Sequence, residues 1–250
     1  MRPLDRLSSL VQNFEMECSL NRPRHDQNLR IFSDGTDPAW LDFAPAGYED
    51  RASYNEPGPL VAAAHVDIGI DTNPLVSALP PLVRIDLKKN PDTAAIARLF
   101  VNETVNPRCG ADTVISRLAE LLVIHLLRQA IERNETRPGL LAGLAHPRLS
   151  PVIVAIHDRP QRDWSIEDFT DLAGMSRSRF MEEFQTVMAE TPMSYLKRWR
   201  MTLAHAALLR GGRVSEIARK FGYSGSDAFS RAFSKIHGMA PSKVRSKVEI

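Results

Sequence analysis

An α+β fold is predicted for this chain of 250 residues. A small β-containing N-terminal region is followed by two helices, and then by an all-α C-terminal domain with two helix-turn-helix motifs joined by a long helix. Three observations carry this expectation. One pattern of apolar residues and a glycine occurs twice between Ser165 and Pro241. Strand-like alternation is confined to the segments before Asn90, and helical spacing dominates after it. The formal charge of +2 also divides unevenly: residues 148–250 hold 17 Lys/Arg against 11 Asp/Glu, net +6, while residues 1–147 hold 15 against 19, net −4.

Length and composition set the frame. A chain of this size supports two cores of about 100 to 150 residues each. Apolar content of 43% and charged content of 25% are those of a globular protein. No apolar run reaches the roughly 20 residues needed to span a bilayer, and the opening residues lack a signal-peptide pattern, so a cytoplasmic protein is expected. Cys18 and Cys109 are too few for a disulfide framework or a thiolate metal cluster. A basic half joined to an acidic half points to a polyanion-binding module attached to something else. A solvated basic face without a partner would explain the charge alone equally well.

In chain order, Leu4, Leu7, Leu10, Val11 and Phe14 suit a short amphipathic helix. Residues 21–59 are polar, with turns marked at Asp34-Gly35 and Pro57-Gly58, and few strand-like runs are read there. Leu60 to Ile70 reads as one or two strands, since Val66, Ile68 and Ile70 alternate with His65, Asp67 and Gly69. Pro80-Pro81 limits the next strand to Leu82, Arg84 and Asp86. Asn90-Pro91-Asp92 caps a helix over Ala94 to Glu103. A longer helix starts at Asp112 or Thr113 and runs to about Glu132, with an apolar stripe that includes Leu122 and Leu126. That stripe serves either a dimer seam or packing inside its own domain. Arg133 to Gly143 reads as a linker. The expected domains are 1–89, 90–147 and 148–250.

The repeat defines the last domain, which opens with a helix from Ser150-Pro151 through Asp158. Ile166 and Phe169 precede Gly174 by the same spacing with which Val214 and Ile217 precede Gly222. Met175, Phe180 and Phe184 follow the first glycine; Tyr223, Phe229 and Phe233 follow the second. An apolar pair on one helix, a glycine able to take positive φ and an apolar pair on the next helix build a helix-turn-helix. The motifs are expected over about 166–189 and 214–237, with Ser165 and Ser176 as caps, and a helix from Pro192 to Leu209 between them. About 18 residues of helix span roughly 27 Å, close to the ~34 Å between major-groove segments one turn apart. With the paired phenylalanines turned inward, Arg177, Ser178, Arg179, Met181, Glu182 and Gln185 are the candidate DNA contacts of the first motif. Ser226, Asp227, Ser230, Arg231, Ser234 and Lys235 are those of the second.

Residues 148–246 resemble the DNA-binding domain of the AraC/XylS transcription regulators. The matching residues are Leu172 to Ser178 before Phe180, the Arg200-Met201 pair, Ile217-Ala218, Gly222-Tyr223 with Phe229, Arg231 and Phe233, and the closing Gly238 to Pro241. Glu182, Ser234 and Ala240 depart from that pattern, and Glu182 with Glu183 makes the first recognition helix acidic. More weakly, Pro3 to Leu10 and Pro59 to Ile85 resemble the cupin-type sensor domain of one branch of the family. The paired histidines and Gly-Asp turn of that sensor have no match, so a shortened, partial barrel is expected. The resemblance implies double-stranded DNA as partner and a homodimer, and it leaves RNA polymerase and a small-molecule effector open.

Catalytic chemistry has little support. The seven histidines show no metal-ligand spacing, and no G-x-S-x-G, phosphate-loop or dinucleotide fingerprint occurs. Neither cofactor nor metal is expected, and Trp164 and Trp199 fall at apolar positions that suit core anchors. Two other readings stay open beside a sequence-specific regulator. One is a cupin-like enzyme fused to a DNA-binding domain; the other is a protein-interaction factor with weakened DNA binding.

Overall fold

In the computed structural model the described residues are 16–48, 55–68, 78–132 and 138–245, together with 5, 7, 8 and 11. The reading of an N-terminal helix falls mostly outside them, as do Ile70, Leu75 and residues 133–137. The chain divides into two compact units, Glu15–Arg137 and Met1–Phe14 with Pro138–Ile250.

The first unit is built on a five-stranded antiparallel sheet: β1 (Glu17–Ser19), β2 (Leu29–Ser33), β3 (Pro38–Phe43), β4 (Leu60–Asp67) and β5 (Val83–Asp86), in the order β1-β4-β2-β3-β5. β2 and β3 correct the expectation that residues 21–59 are poor in strands. β2 is the central strand and is buried at every position, so its side chains show no alternation for a sequence reading to find. Its one charged residue, Arg30, stays buried because it stacks 3.6 Å from the Tyr48 ring and donates to the carbonyls of Arg24 and Gln27. The β2–β3 turn does fall at Asp34-Gly35, with Gly35 at φ 112° and Asp34 accepting from the amides of Thr36 and Asp37. Between β3 and β5, the Arg84 guanidinium grips the Asp42 carboxylate through two hydrogen bonds of 2.7 and 2.6 Å.

β4 follows the expected alternation, with Ala62, Ala64 and Val66 buried, and Ile68 just beyond its end is buried too. β5 lies one residue later than expected at its start, and Val83 and Ile85 supply its buried face. Helices α1 (Pro91–Val105) and α2 (Ala111–Glu132) pack on each other and on the sheet. Pro91 opens α1, although the Asn90 side chain makes no capping bond. In α2, Leu122 and Leu126 are 0% and 1% exposed, so that part of the stripe belongs to the core of its own unit and not to a dimer seam.

The second unit is all helical, and it begins earlier than expected. α3 (Leu140–Ala145) takes in the last four residues of the segment read as a linker and buries Leu140, Leu141 and Leu144. There follow α4 (Ser150–Asp158), α5 (Ile166–Ala173), α6 (Arg177–Met188), α7 (Pro192–Leu209), α8 (Val214–Lys220), α9 (Ser226–His237) and α10 (Pro241–Arg245). Leu149, not Ser150, is the N-cap of α4. Two aromatic clusters form the core. Trp164, Phe169, Phe180, Phe184 and Tyr195 follow one another with ring centres 5.4 to 6.3 Å apart, and His157 and Trp199 close the chain at 4.2 Å. Around the second motif, Tyr223, Phe229, Phe233 and His237 do the same. Both tryptophans expected as anchors are buried.

Candidate nucleic-acid interface

The two motifs turn the chain in the same way. After α5, Gly174 at φ 60° donates to Asp171 O, and Met175 donates to Thr170 O at 3.1 Å. After α8, Gly222 at φ 77° donates to Arg219 O, and Tyr223 donates to Ala218 O at 2.9 Å. Each pair satisfies the last carbonyls of the leading helix and needs a residue with positive φ, which glycine adopts without steric cost. The apolar residues on either side then meet over the turn, and Phe180, Phe184, Phe229 and Phe233 are all fully buried.

With those phenylalanines inward, α6 and α9 present the rest of their surface. On α6, Arg177, Ser178, Arg179, Glu182 and Gln185 are exposed and Met181 is half-buried. On α9, Asp227, Arg231 and Lys235 are exposed, and Ser226, Ser230 and Ser234 are half-buried. The two faces differ in how their charges are engaged. Arg177 pairs with Glu167 of α5 at 2.5 Å, and Arg179 lies 3.5 Å from Glu183. Glu183 also sits 2.8 Å from His146 Nε2, so its carboxylate is directed to the α3–α4 connection. The exposed acidity of α6 therefore reduces to Glu182. Arg231 forms no ion pair among the described residues. Exposed pairs of this kind contribute about 0 to 1 kcal/mol, little enough for Arg177 to exchange its partner for a phosphate.

The helix starts differ too. α5 carries a full capping box, in which Ser165 Oγ accepts from Asp168 N at 3.1 Å and the Asp168 carboxylate accepts from Ser165 N at 2.9 Å. That amide and hydroxyl hold the Asp168 carboxyl below the usual carboxylate range. By contrast, the Ser176 side chain does not cap α6, contrary to expectation, and Gly225 leads into α9 without a side chain to offer. Both recognition helices thus begin with backbone N–H groups free of a side-chain cap, the arrangement that receives phosphate oxygens.

Two positioning arginines have partners too distant in sequence to be read from a local pattern. Arg148 reaches the Gly174 carbonyl at 3.3 Å, and Arg200 donates to the carbonyls of Pro160 and Arg162 at 2.6 and 2.8 Å. The second ties α7 to the loop ahead of the first motif. Arg200 stands in the sequence pattern, but only the structure shows what it holds.

A helix-turn-helix domain model matches residues 169–247 and a cupin model matches residues 24–132. The HTH-type transcriptional regulator AlkR of Acinetobacter baylyi is 34% identical over 245 residues, 96% of this chain and 75% of that protein. The chain belongs to the AraC family of transcription regulators. An AraC-like transcription regulator of Streptomyces lividans is 33% identical over 175 residues, covering 68% of this chain and 58% of the relative. A solved AraC-type regulator from Chromobacterium violaceum aligns with 41% of this chain and 92% of its own at 19% identity, with a TM-score of 0.39. Membership of the family makes the chain a DNA-binding regulator built from a cupin-type sheet and a helix-turn-helix domain. Among the described residues no cluster of ligating side chains could hold a metal ion, and no helix is long and apolar enough to cross a membrane.

Proposed function

We propose that α6 and α9 enter two successive major-groove segments of one operator, and that the chain is a sequence-specific regulator working in the cytoplasm. The observation that carries this reading is the identical hydrogen-bonded glycine turn in both motifs, which sets each recognition helix in the same way against its partner. Base edges would be read by Gln185 and Glu182 on α6 and by Arg231 and Ser230 on α9. Phosphates would be held by Arg177, Arg179, Ser178, Ser226 and Lys235 and by the uncapped amides at the starts of both helices. Met181, Asp227 and Ser234 complete the outward surfaces. The relatives named above are regulators, which supports a non-catalytic role over an enzyme. The weakened-binding alternative loses much of its motive, since Glu183 is engaged with Arg179 and His146.

The test is binding of the full chain to a site selected from random duplex DNA, measured at several salt concentrations. Affinity should fall linearly on a log–log plot with a slope of about −0.9 per phosphate contact. A flat response, or selection that enriches no site, overturns the proposal. A homodimer is proposed as the working form. Its seam would use the outward apolar residues Leu99 and Val105 of α1 and Val114 and Leu121 of α2, all 41 to 62% exposed. Leu99→Glu with Leu121→Glu should yield a monomer by sedimentation, and a wild-type chain that is already monomeric removes the seam. RNA polymerase and a small effector are further partners the family reading suggests.

A further inference from the structure

His146 lies in the connection between α3 and α4, outside both helix-turn-helix motifs, and its ring engages two neighbours at once. Nδ1 accepts from the backbone amides of Arg148 and Leu149 at 3.3 and 3.2 Å. Amides only donate, so Nδ1 carries the lone pair and the ring proton sits on Nε2. Nε2 stands 2.8 Å from Glu183 Oε1 of α6, and its N–H therefore donates to that carboxylate. The connection is itself anchored on the first motif. Gly139 N donates to Val187 O of α6 at 2.8 Å, and the Arg148 guanidinium reaches the Gly174 carbonyl at the turn.

The second oxygen of Glu183 faces Arg179. Arg179 Nε is 3.5 Å from Glu183 Oε2, against about 2.7 to 2.9 Å for a tight charge-assisted hydrogen bond. The arginine side chain is 65% exposed, whereas those of His146 and Glu183 are 22% and 26% exposed. A neutral donor thus holds the carboxylate on its sheltered side, and the carboxylate holds the arginine only loosely. Without the imidazole, Glu183 would be free to close on Arg179, one turn away on the same helix face, and would carry its charge towards the surface that meets DNA.

We infer that His146 is a positioning residue for DNA binding: by engaging one oxygen of Glu183, it keeps the Arg179 guanidinium available to a phosphate of the duplex. The inference rests on the operator reading above, in which Arg179 is a phosphate contact.

The salt dependence of binding by the full chain to one selected duplex site tests it. His146→Asn keeps an acceptor for the amides of Arg148 and Leu149 but has no donor long enough for Glu183, whereas His146→Gln can still reach the carboxylate with its amide N–H. His146→Asn should bind about three- to tenfold more weakly than wild type, with a log–log slope shallower by about 0.9, the loss of one phosphate contact. Arg179→Ala should change the slope by the same amount. His146→Gln, and Glu183→Gln added to His146→Asn, should each bring slope and affinity back near wild type. If His146→Asn fails to fold, His146→Ser, which offers a hydroxyl to the same amides, takes its place. A steep wild-type slope that His146→Asn or Arg179→Ala leaves unchanged overturns this inference alone, as does a loss that Glu183→Gln fails to restore. A flat wild-type response overturns the operator reading, and this inference with it.

Discussion

The imidazole of His157 and the hydroxyl of Tyr195 are hydrogen-bonded at 2.5 Å, in a core where both residues are at most 3% exposed. The folded state disfavours the charged imidazole, with a pKa near 3 against about 6.5 for an unfolded histidine. Stability from this group is therefore complete above pH 6.5 and is lost as pH falls from 6.5 towards 3, because the unfolded chain takes up the proton first. Each pH unit in that window should remove up to about 1.4 kcal/mol. Urea titrations of wild type and His157→Gln between pH 7 and 4.5 should converge as the pH drops. Parallel curves would show that the histidine titrates alike in the folded and unfolded chain.

Arg231 and Glu182 should act in opposite directions on operator affinity. An arginine that reaches a guanine edge donates two hydrogen bonds, and its loss costs about 1 to 3 kcal/mol, so Arg231→Ala should weaken binding by roughly ten- to a hundredfold. Glu182→Gln keeps an acceptor but removes a charge that repels phosphate, so it should tighten binding. Titrations of both variants on one selected site check this, and a large loss from Glu182→Gln alone would move the dominant contacts to α6.

In the sheet, Asp42 is 1% exposed and depends on Arg84. Arg84→Met would leave a buried carboxylate without its partner, which costs about 3 to 5 kcal/mol. The arginine side chain is 29% exposed, which places the expected loss at the lower end. Denaturation monitored from the first unit should show it, and Asp42→Asn in the same background should recover part of the stability.

Gly174→Ala and Gly222→Ala offer a clean comparison of the two motifs. A Cβ at either position meets nothing within 4 Å, so only the positive φ is at stake. Each should cost about 1 kcal/mol by thermal melting, with a similar value for both. A much larger loss at one turn would mean that its neighbouring helices shift to relieve the strain.

The helical unit was legible in the sequence almost residue by residue. Its helices are amphipathic, their ends carry Pro192, Gly174, Gly211 and Gly238, and the duplicated spacing allows one motif to check the other. α3 was missed because Pro138-Gly139 reads as a breaker, yet it lies just ahead of Leu140, where it starts the helix. The sheet was legible only where one face is less covered. Ala62, Ala64 and Val66 of β4 alternate, whereas Leu29 to Ser33 of β2 are covered on both faces and resemble any short mixed segment. Among the candidate contacts, exposure followed from helical register. The engagement of Glu183 with His146 did not, because that partner lies 37 positions earlier and is brought near only by the packing of α3 against α6.

The central place of β2 has a consequence for synthesis on the ribosome. Its neighbour β3 emerges immediately after it, but its other neighbour, β4, begins only at Leu60. Until β4 has emerged, Leu29 to Ser33 carry one bare row of amides and carbonyls flanked by apolar side chains, a template for pairing with another nascent chain. Chains stopped between Phe43 and Leu60 should accordingly collect as aggregates, and those extended past Asp67 should not.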